Sequence, residues 1–190
     1  MEITYILQIT TIVITLFLGV ITYLQTHRIQ EGQNIISVTT KYRSERCEQL
    51  KEVGTSLLSN TSARLLSLSA DATDMLKAAT EAQERIGMIL HRDFEADRRL
   101  IELSSDLLEA AFDYVDKKSG EALNKLLYFQ ERFRLKCDLY TAADWNRIKQ
   151  ETKGQNTSSQ SWEDYYAKLE EKHAKDFEEI ERRYMPDPKE

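Results

Sequence analysis

An all-α fold, with one membrane-crossing helix ahead of an oligomeric helical bundle, follows from three features of this 190-residue chain. The only two prolines, Pro186 and Pro188, fall in the last five residues, so no missing backbone donor interrupts residues 33–184. Apolar residues recur at steps of three, four and seven, and alternating patterns bounded by turn residues are absent. The stretch from Ile3 to Leu24 is a run of 22 uncharged, mostly apolar residues.

At 1.5 Å per residue this run spans roughly 33 Å, close to the ~30 Å hydrocarbon thickness of a bilayer. Its polar members gather on one side. On a helix Thr4, Gln8, Thr11, Thr15, Gly19, Thr22 and Thr26 share an arc of about 80°, with Thr10 elsewhere. Such a seam suits helices that pack against their own copies or line a wet path. The alternative is a plain anchor, because Thr can return its hydroxyl to its own i−4 carbonyl. Gln8 weighs against that, since a primary amide has more donors and acceptors than its own helix satisfies in lipid. No Lys or Arg precedes the run, whereas Arg28, Lys41, Arg43 and Arg46 follow it. That asymmetry places the N-terminus outside and the bulk of the chain in the cytoplasm. A cleaved signal peptide would need a basic start and a small-x-small site, which Gly19 to Arg28 do not provide.

Four helical blocks are expected after position 25. Residues 1–30 comprise the membrane helix and its flanks, and residues 31–153 the cytoplasmic bundle. The first block continues from the membrane run, with a loosening at Gly32, as far as Gly54. The second is long. Leu58, Leu65, Leu68, Ala72, Met75, Ala79, Ala82, Ile86 and Ile89 form a seam that resumes as Phe94, Ile101, Leu108, Phe112 and Val115. It stops at Lys117-Lys118-Ser119-Gly120, where basic residues suit a helix end and Ser or Gly a new start. The third block, Glu121 to about Thr152, carries Leu123, Leu126, Phe129, Phe133, Cys137 and Tyr140 as a core stripe. Residues 154–161, GQNTSSQS, form a loop. In the last block, residues 162–190, Ser161 acts as cap, and Trp162, Tyr165, Tyr166, Leu169, Phe177, Ile180 and Tyr184 dock on the bundle while an acidic side stays exposed.

Composition narrows function by exclusion. A formal net charge of −6 speaks against a DNA-binding protein or a general nucleic-acid binder. Cys47 and Cys137 have neither CxxC spacing nor a nearby His, and read as free packed thiols, with no metal and no cofactor implied. Glycine-rich phosphate loops, HExxH and GxSxG are absent. Paired carboxylates such as Glu170-Glu171 and Glu178-Glu179 lie in exposed helix sequence without a cleft.

One short motif carries chemistry. Arg85-Ile-Gly-Met-Ile-Leu-His91 fits the Arg-x5-His spacing of HEPN ribonuclease domains, in which Arg holds a phosphate while His moves a ribose proton. Residue 86 is Ile where active members place a polar residue, so catalysis is not expected and the motif reads as degenerate. With one N-terminal membrane helix, a proline-poor helical domain and this motif, the chain resembles the small membrane accessory proteins of type VI-B CRISPR-Cas loci. The resemblance implies a homo-oligomeric pore in the bacterial inner membrane that strengthens anti-phage defence by a CRISPR-guided RNase through depolarisation. Residues Thr4, Gln8, Thr11, Thr15, Gly19 and Thr22 would then line the lumen, with five or more subunits around the axis. Leu18 and Ile12 would be dewetting points. Two other classes stay open: a membrane-anchored coiled-coil scaffold that recruits a cytoplasmic partner, and a membrane-tethered HEPN ribonuclease that needs Arg85 and His91 to converge across a dimer.

Overall fold

The computed structural model describes the backbone of residues 2–68, 71–153 and 158–185, and the side chains of residues 18–27, 30, 36–67, 71–153 and 158–185. The described residues form helices and short turns only. Seven helices follow one another: α1 (Glu2–Asn60), α2 (Ala63–Leu68), α3 (Ala72–Ile89), α4 (Glu95–Lys117), α5 (Gly120–Thr152), α6 (Ser159–Lys172) and α7 (Ala174–Tyr184). Residues 1–42 and 43–190 are two compact units.

In the first unit the described part of α1 leaves large apolar side chains uncovered. Leu18, Val20 and Leu24 are 57%, 57% and 55% exposed, and Tyr23 is also exposed. Among the described residues no helix is long and apolar enough to cross a membrane. The side chains of residues 3–17, which make up most of the apolar run, lie outside the described residues.

The second unit is a bundle around one core. From α1, Cys47, Leu50, Val53 and Leu57 point inward at steps of three and four. Leu50, Val53 and Leu57 share one core with Leu76, Ala79, Ala82 and Ile86 of α3, Leu100, Leu103, Leu107 and Ala111 of α4, and Leu126, Phe133 and Tyr140 of α5. Alanines at facing positions let α3 and α4 approach closely, and α4 also packs along α5. Helices α6 and α7 run along α5, where Trp162 and Tyr166 are buried and Phe177 is half-buried between the Arg132 and Lys136 heads.

Several expected boundaries move. Helix α1 passes through Gly32 and Gly54 without a break and ends at Asn60, because Gly54 lies against α5, where a Cβ would sit 3.5 Å from Cys137 Sγ. Its end is well satisfied. The Thr61 amide donates to the Leu57 carbonyl at 2.9 Å, and Gln130 of α5 donates to the Thr61 carbonyl at 2.7 Å.

The long second block is three helices, not one. A continuous rod could not fold back on itself, whereas the short turn from Leu90 to Phe94 lets α3 and α4 pack on one core. Leu90 takes an extended backbone and ends α3, and Phe94 is the extended residue before α4. Accordingly Leu65 and Phe112 of the expected seam are exposed, Leu68 has a side chain outside the described residues, and Leu76, Leu100, Leu103 and Leu107 are buried instead.

The α4 to α5 turn falls at the expected residues. Lys118 takes the left-handed conformation (φ 48°), and the Ser119 hydroxyl accepts the Ala122 amide at 3.1 Å. The last block starts earlier than expected. Ser158 is the cap, accepting the Ser161 amide at 3.1 Å, so Ser161 is already helical. A bend at His173, whose Nδ1 lies 2.6 Å from Asp176, then separates α6 from α7 and keeps both on α5.

Candidate functional site

The second unit holds one concentrated group of charged side chains in its interior. Arg46 of α1 lies between two carboxylates, Asp97 in the first turn of α4 and Asp144 of α5. Both aspartates are 1% exposed, and Tyr140 beside them is fully buried. Arg46 donates through Nη2 to Asp144 Oδ2 at 3.0 Å and to the Tyr140 hydroxyl at 3.0 Å, while its Nη1 is 3.9 Å from Asp97 Oδ2. The Tyr140 hydroxyl in turn donates to Asp97 Oδ1 at 2.6 Å. Directly beside this clasp, Arg43 pairs with Glu151, which Arg147 also approaches at 3.4 Å.

The electrostatics follow from burial. Loss of water raises the Asp144 carboxyl above the usual carboxylate range against the pull of Arg46, and Asp97 adds to the rise. Burial and the same two carboxylates hold the Tyr140 phenol well above its ordinary value. Burial works against the Arg46 charge, yet Tyr140, Asp144 and Asp97 outweigh it and raise the guanidinium above its ordinary value. Arg43, desolvated and near Arg147, is lowered to about 10.

The groups of the clasp are enclosed in the bundle. Its carboxylates and phenol have almost no surface to present, and the ring of Tyr140 is covered edge-on by Trp162 at 5.2 Å and by Tyr166 at 6.0 Å. What it does fix is the place of one α1 residue relative to α4 and α5, with directional charge-assisted hydrogen bonds.

Sequence patterning could have pointed to it. Arg43 and Arg46 share the α1 face of Cys47 and Leu50, and Asp144 follows Tyr140 by one turn on the buried α5 face. A charge at a core position of an amphipathic helix is that signal. The expectation instead assigned Arg43 and Arg46 to the positive flank of the membrane run, whereas their charges are engaged inside the bundle.

The motif residues are not drawn together. Arg85 is exposed and reaches toward Glu52 of α1 at 3.8 Å. His91 lies beyond the end of α3 with its ring edge-on to Phe94 at 6.3 Å, and its backbone N–H donates to Asp97 Oδ2 at 2.8 Å. Of the expected lumen residues, Thr4, Gln8, Thr11 and Thr15 have side chains outside the described residues, as does Ile12. A Cβ at Gly19 would meet nothing within 4 Å. Thr22 is exposed, and its hydroxyl donates to the Leu18 carbonyl at 2.8 Å.

A groove of about 650 Å³ between α1, α2 and α5 is lined by Leu50, Lys51, Gly54, Arg134, Cys137 and Asp138. Burial pushes the Cys137 thiol up to about 12. Among the described residues no group of three His, Cys, Asp or Glu side chains is placed to hold a metal. No protein-family model, curated protein or solved structure matches this chain.

Proposed function

We propose that this protein is anchored in the bacterial inner membrane by residues 3–24 of α1, with its N-terminus outside. There it assembles with copies of itself into a pore that depolarises the membrane. The observation that carries the reading is the 22-residue apolar run with its one-sided seam of Thr4, Gln8, Thr11, Thr15, Gly19 and Thr22. The uncovered Leu18, Val20 and Leu24 support it, because apolar side chains left uncovered on more than one side of a helix suit a surrounding of lipid or of other copies. The link to a CRISPR-guided RNase in anti-phage defence rests on the resemblance described above. The reading gives the chain no enzymatic step and no cofactor.

The test replaces Gln8 and Thr15 together by Leu in cells that report membrane potential. Loss of induced depolarisation with unchanged expression is the expected result. Unchanged depolarisation would sink the lumen assignment.

One observation favours the scaffold reading. The Thr22 hydroxyl is satisfied by its own helix, as a lipid-facing anchor would require. In that case the seam closes at two or three helices with no lumen. Particle symmetry in detergent separates the two, since a lumen needs about five or more helices around an axis.

A further inference from the structure

The groove of the second unit owes its walls to the spacing of residues on α1 and α5. On α1, Leu50, Gly54 and Leu58 recur every four residues as one ridge, and Lys51, Thr55 and Ser59 form the ridge beside it. The two helices lie antiparallel here, since Arg46 bonds Tyr140 and Asp144 while Gln130 bonds the Thr61 carbonyl at the other end. Gly54 and Cys137 meet at the floor, where even an added Cβ on Gly54 would lie 3.5 Å from Cys137 Sγ. The space is about 650 Å³, within the range of small-molecule sites, and runs about 12 Å along α1 from Lys51 to Ser59.

Floor and rim differ in chemistry. Leu50 and Leu58 belong to the apolar core and its border, burial keeps the Cys137 thiol neutral, and Leu65 of α2, 48% exposed, extends the apolar surface past the end of α1. The rims are polar. The Thr55 and Ser59 hydroxyls form no hydrogen bond among the described residues. Lys51 and Arg134 outnumber Asp138, so the lining is positive in a chain whose net charge is −6. Of the two cations, Lys51 is the one left for a ligand. Its ammonium rests over the Trp145 ring at 5.8 Å without an ion pair among the described residues, whereas Arg134 pairs with Glu131 at 3.4 Å.

We propose that this groove binds a single-chain anionic amphiphile, a fatty-acid carboxylate, with its head on Lys51 and its chain over Gly54, Leu58 and Leu65. The occupant follows from complementarity in both parts. An inorganic anion would leave the leucines uncovered, and an uncharged chain would leave Lys51 without a counter-charge. A carboxylate accepts a charge-assisted bond from the Lys51 ammonium, with the Thr55 hydroxyl one helical turn along the same rim. A chain laid on the floor removes apolar surface from water, and the missing side chain of Gly54 leaves it room. The site lies wholly within the second unit, so it stands or falls apart from the membrane assembly.

The full chain in phosphatidylcholine nanodiscs, titrated calorimetrically with octanoate, decanoate and laurate against empty nanodiscs, tests this. Laurate should bind, and each added pair of methylenes should tighten binding about threefold or more, since full burial of one methylene is a factor of about four. Lys51→Gln should weaken laurate about fivefold to tenfold, with an unchanged thermal midpoint because the side chain is exposed. Gly54→Leu, which fills the floor, should weaken it about tenfold or more. Lys175→Gln, on the exposed side of α7, should change nothing. A diazirine analogue of laurate should label residues 50–65 and 134–141. Dodecanol binding as tightly as laurate overturns the anionic head. No binding by wild type, or equal laurate binding by wild type, Lys51→Gln and Gly54→Leu, overturns the site. Copies that associate through the groove, with Gly54→Leu abolishing association and laurate failing to compete, would assign it to a second copy and overturn the proposal as well.

Discussion

Replacing Arg46 alone by methionine should be among the most damaging single changes in the bundle, and neutralising its partners as well should rescue it. The Arg46 side chain is 14% exposed, and its guanidinium stands between the carboxylates of two aspartate side chains that are each 1% exposed. Without it, Asp97 and Asp144 face each other and Tyr140 in a region from which water is largely excluded. Removing one partner of a buried ion pair costs about 3–5 kcal/mol, whereas replacing the whole set by neutral residues of similar volume is close to neutral or stabilising. At about 1.4 kcal/mol per factor of ten, Arg46→Met should raise the unfolded fraction roughly a hundredfold to several-thousandfold. In a domain of this size that lowers the thermal midpoint by roughly 6–20 °C. The triple Arg46→Met, Asp97→Asn, Asp144→Asn should recover most of the loss. Trp162, edge-on to Tyr140, provides the fluorescence signal for urea unfolding of the full chain in detergent. The reasoning fails if Arg46→Met costs less than about 1 kcal/mol, or if the triple is no more stable than the single change.

Asp144 should give a recognisable pH dependence. Its pKa is raised in the folded chain by burial, so the stability its proton contributes is fully present below the ordinary carboxylate pKa and lost as pH rises through the raised one. Across that window Asp144→Asn should gain stability relative to wild type, and urea midpoints at several pH values would contradict this if wild type gained instead. Gly54→Ala should be neutral or stabilising by up to about 1 kcal/mol, because the added Cβ meets Cys137 Sγ at an ordinary 3.5 Å. Gly54→Leu should overfill the same contact and cost about 1–3 kcal/mol, both read from denaturant melts. At the α4 to α5 turn, Ser119→Ala removes the acceptor of the Ala122 amide and should cost about 1 kcal/mol. Lys118→Gly should raise the thermal midpoint slightly by relieving a left-handed backbone in a residue with a Cβ.

Local chemistry made some of this architecture legible in the residues. The all-helical class follows from proline placement and apolar periodicity, and the Lys117 to Gly120 boundary from cap residues that act within one turn. The α5 stripe of Leu126, Phe133 and Tyr140 is likewise buried where its spacing placed it. Each of these depends on interactions between near neighbours in the chain, which a sequence displays directly. The docking of Trp162 and Tyr166 was also readable, since two aromatics one turn apart on an amphipathic helix seek cover.

What the sequence by itself determined, then, is the helical class, the α4 to α5 turn and the apolar run of residues 3–24. Only the tertiary structure decided where the long second block divides, that Gly54 is a close contact and not a helix end, and that Arg46, Asp97, Tyr140 and Asp144 meet. The turns at Leu90 and His173 contain neither proline nor glycine; they exist because α4 and α7 reach their packing partners only if the chain bends there. Asp97 and Arg46 are 51 residues apart in the numbering, and no local periodicity records a pairing across that distance. Long-range burial and electrostatics select such contacts in the assembled bundle, after local preferences have supplied the helices that carry them.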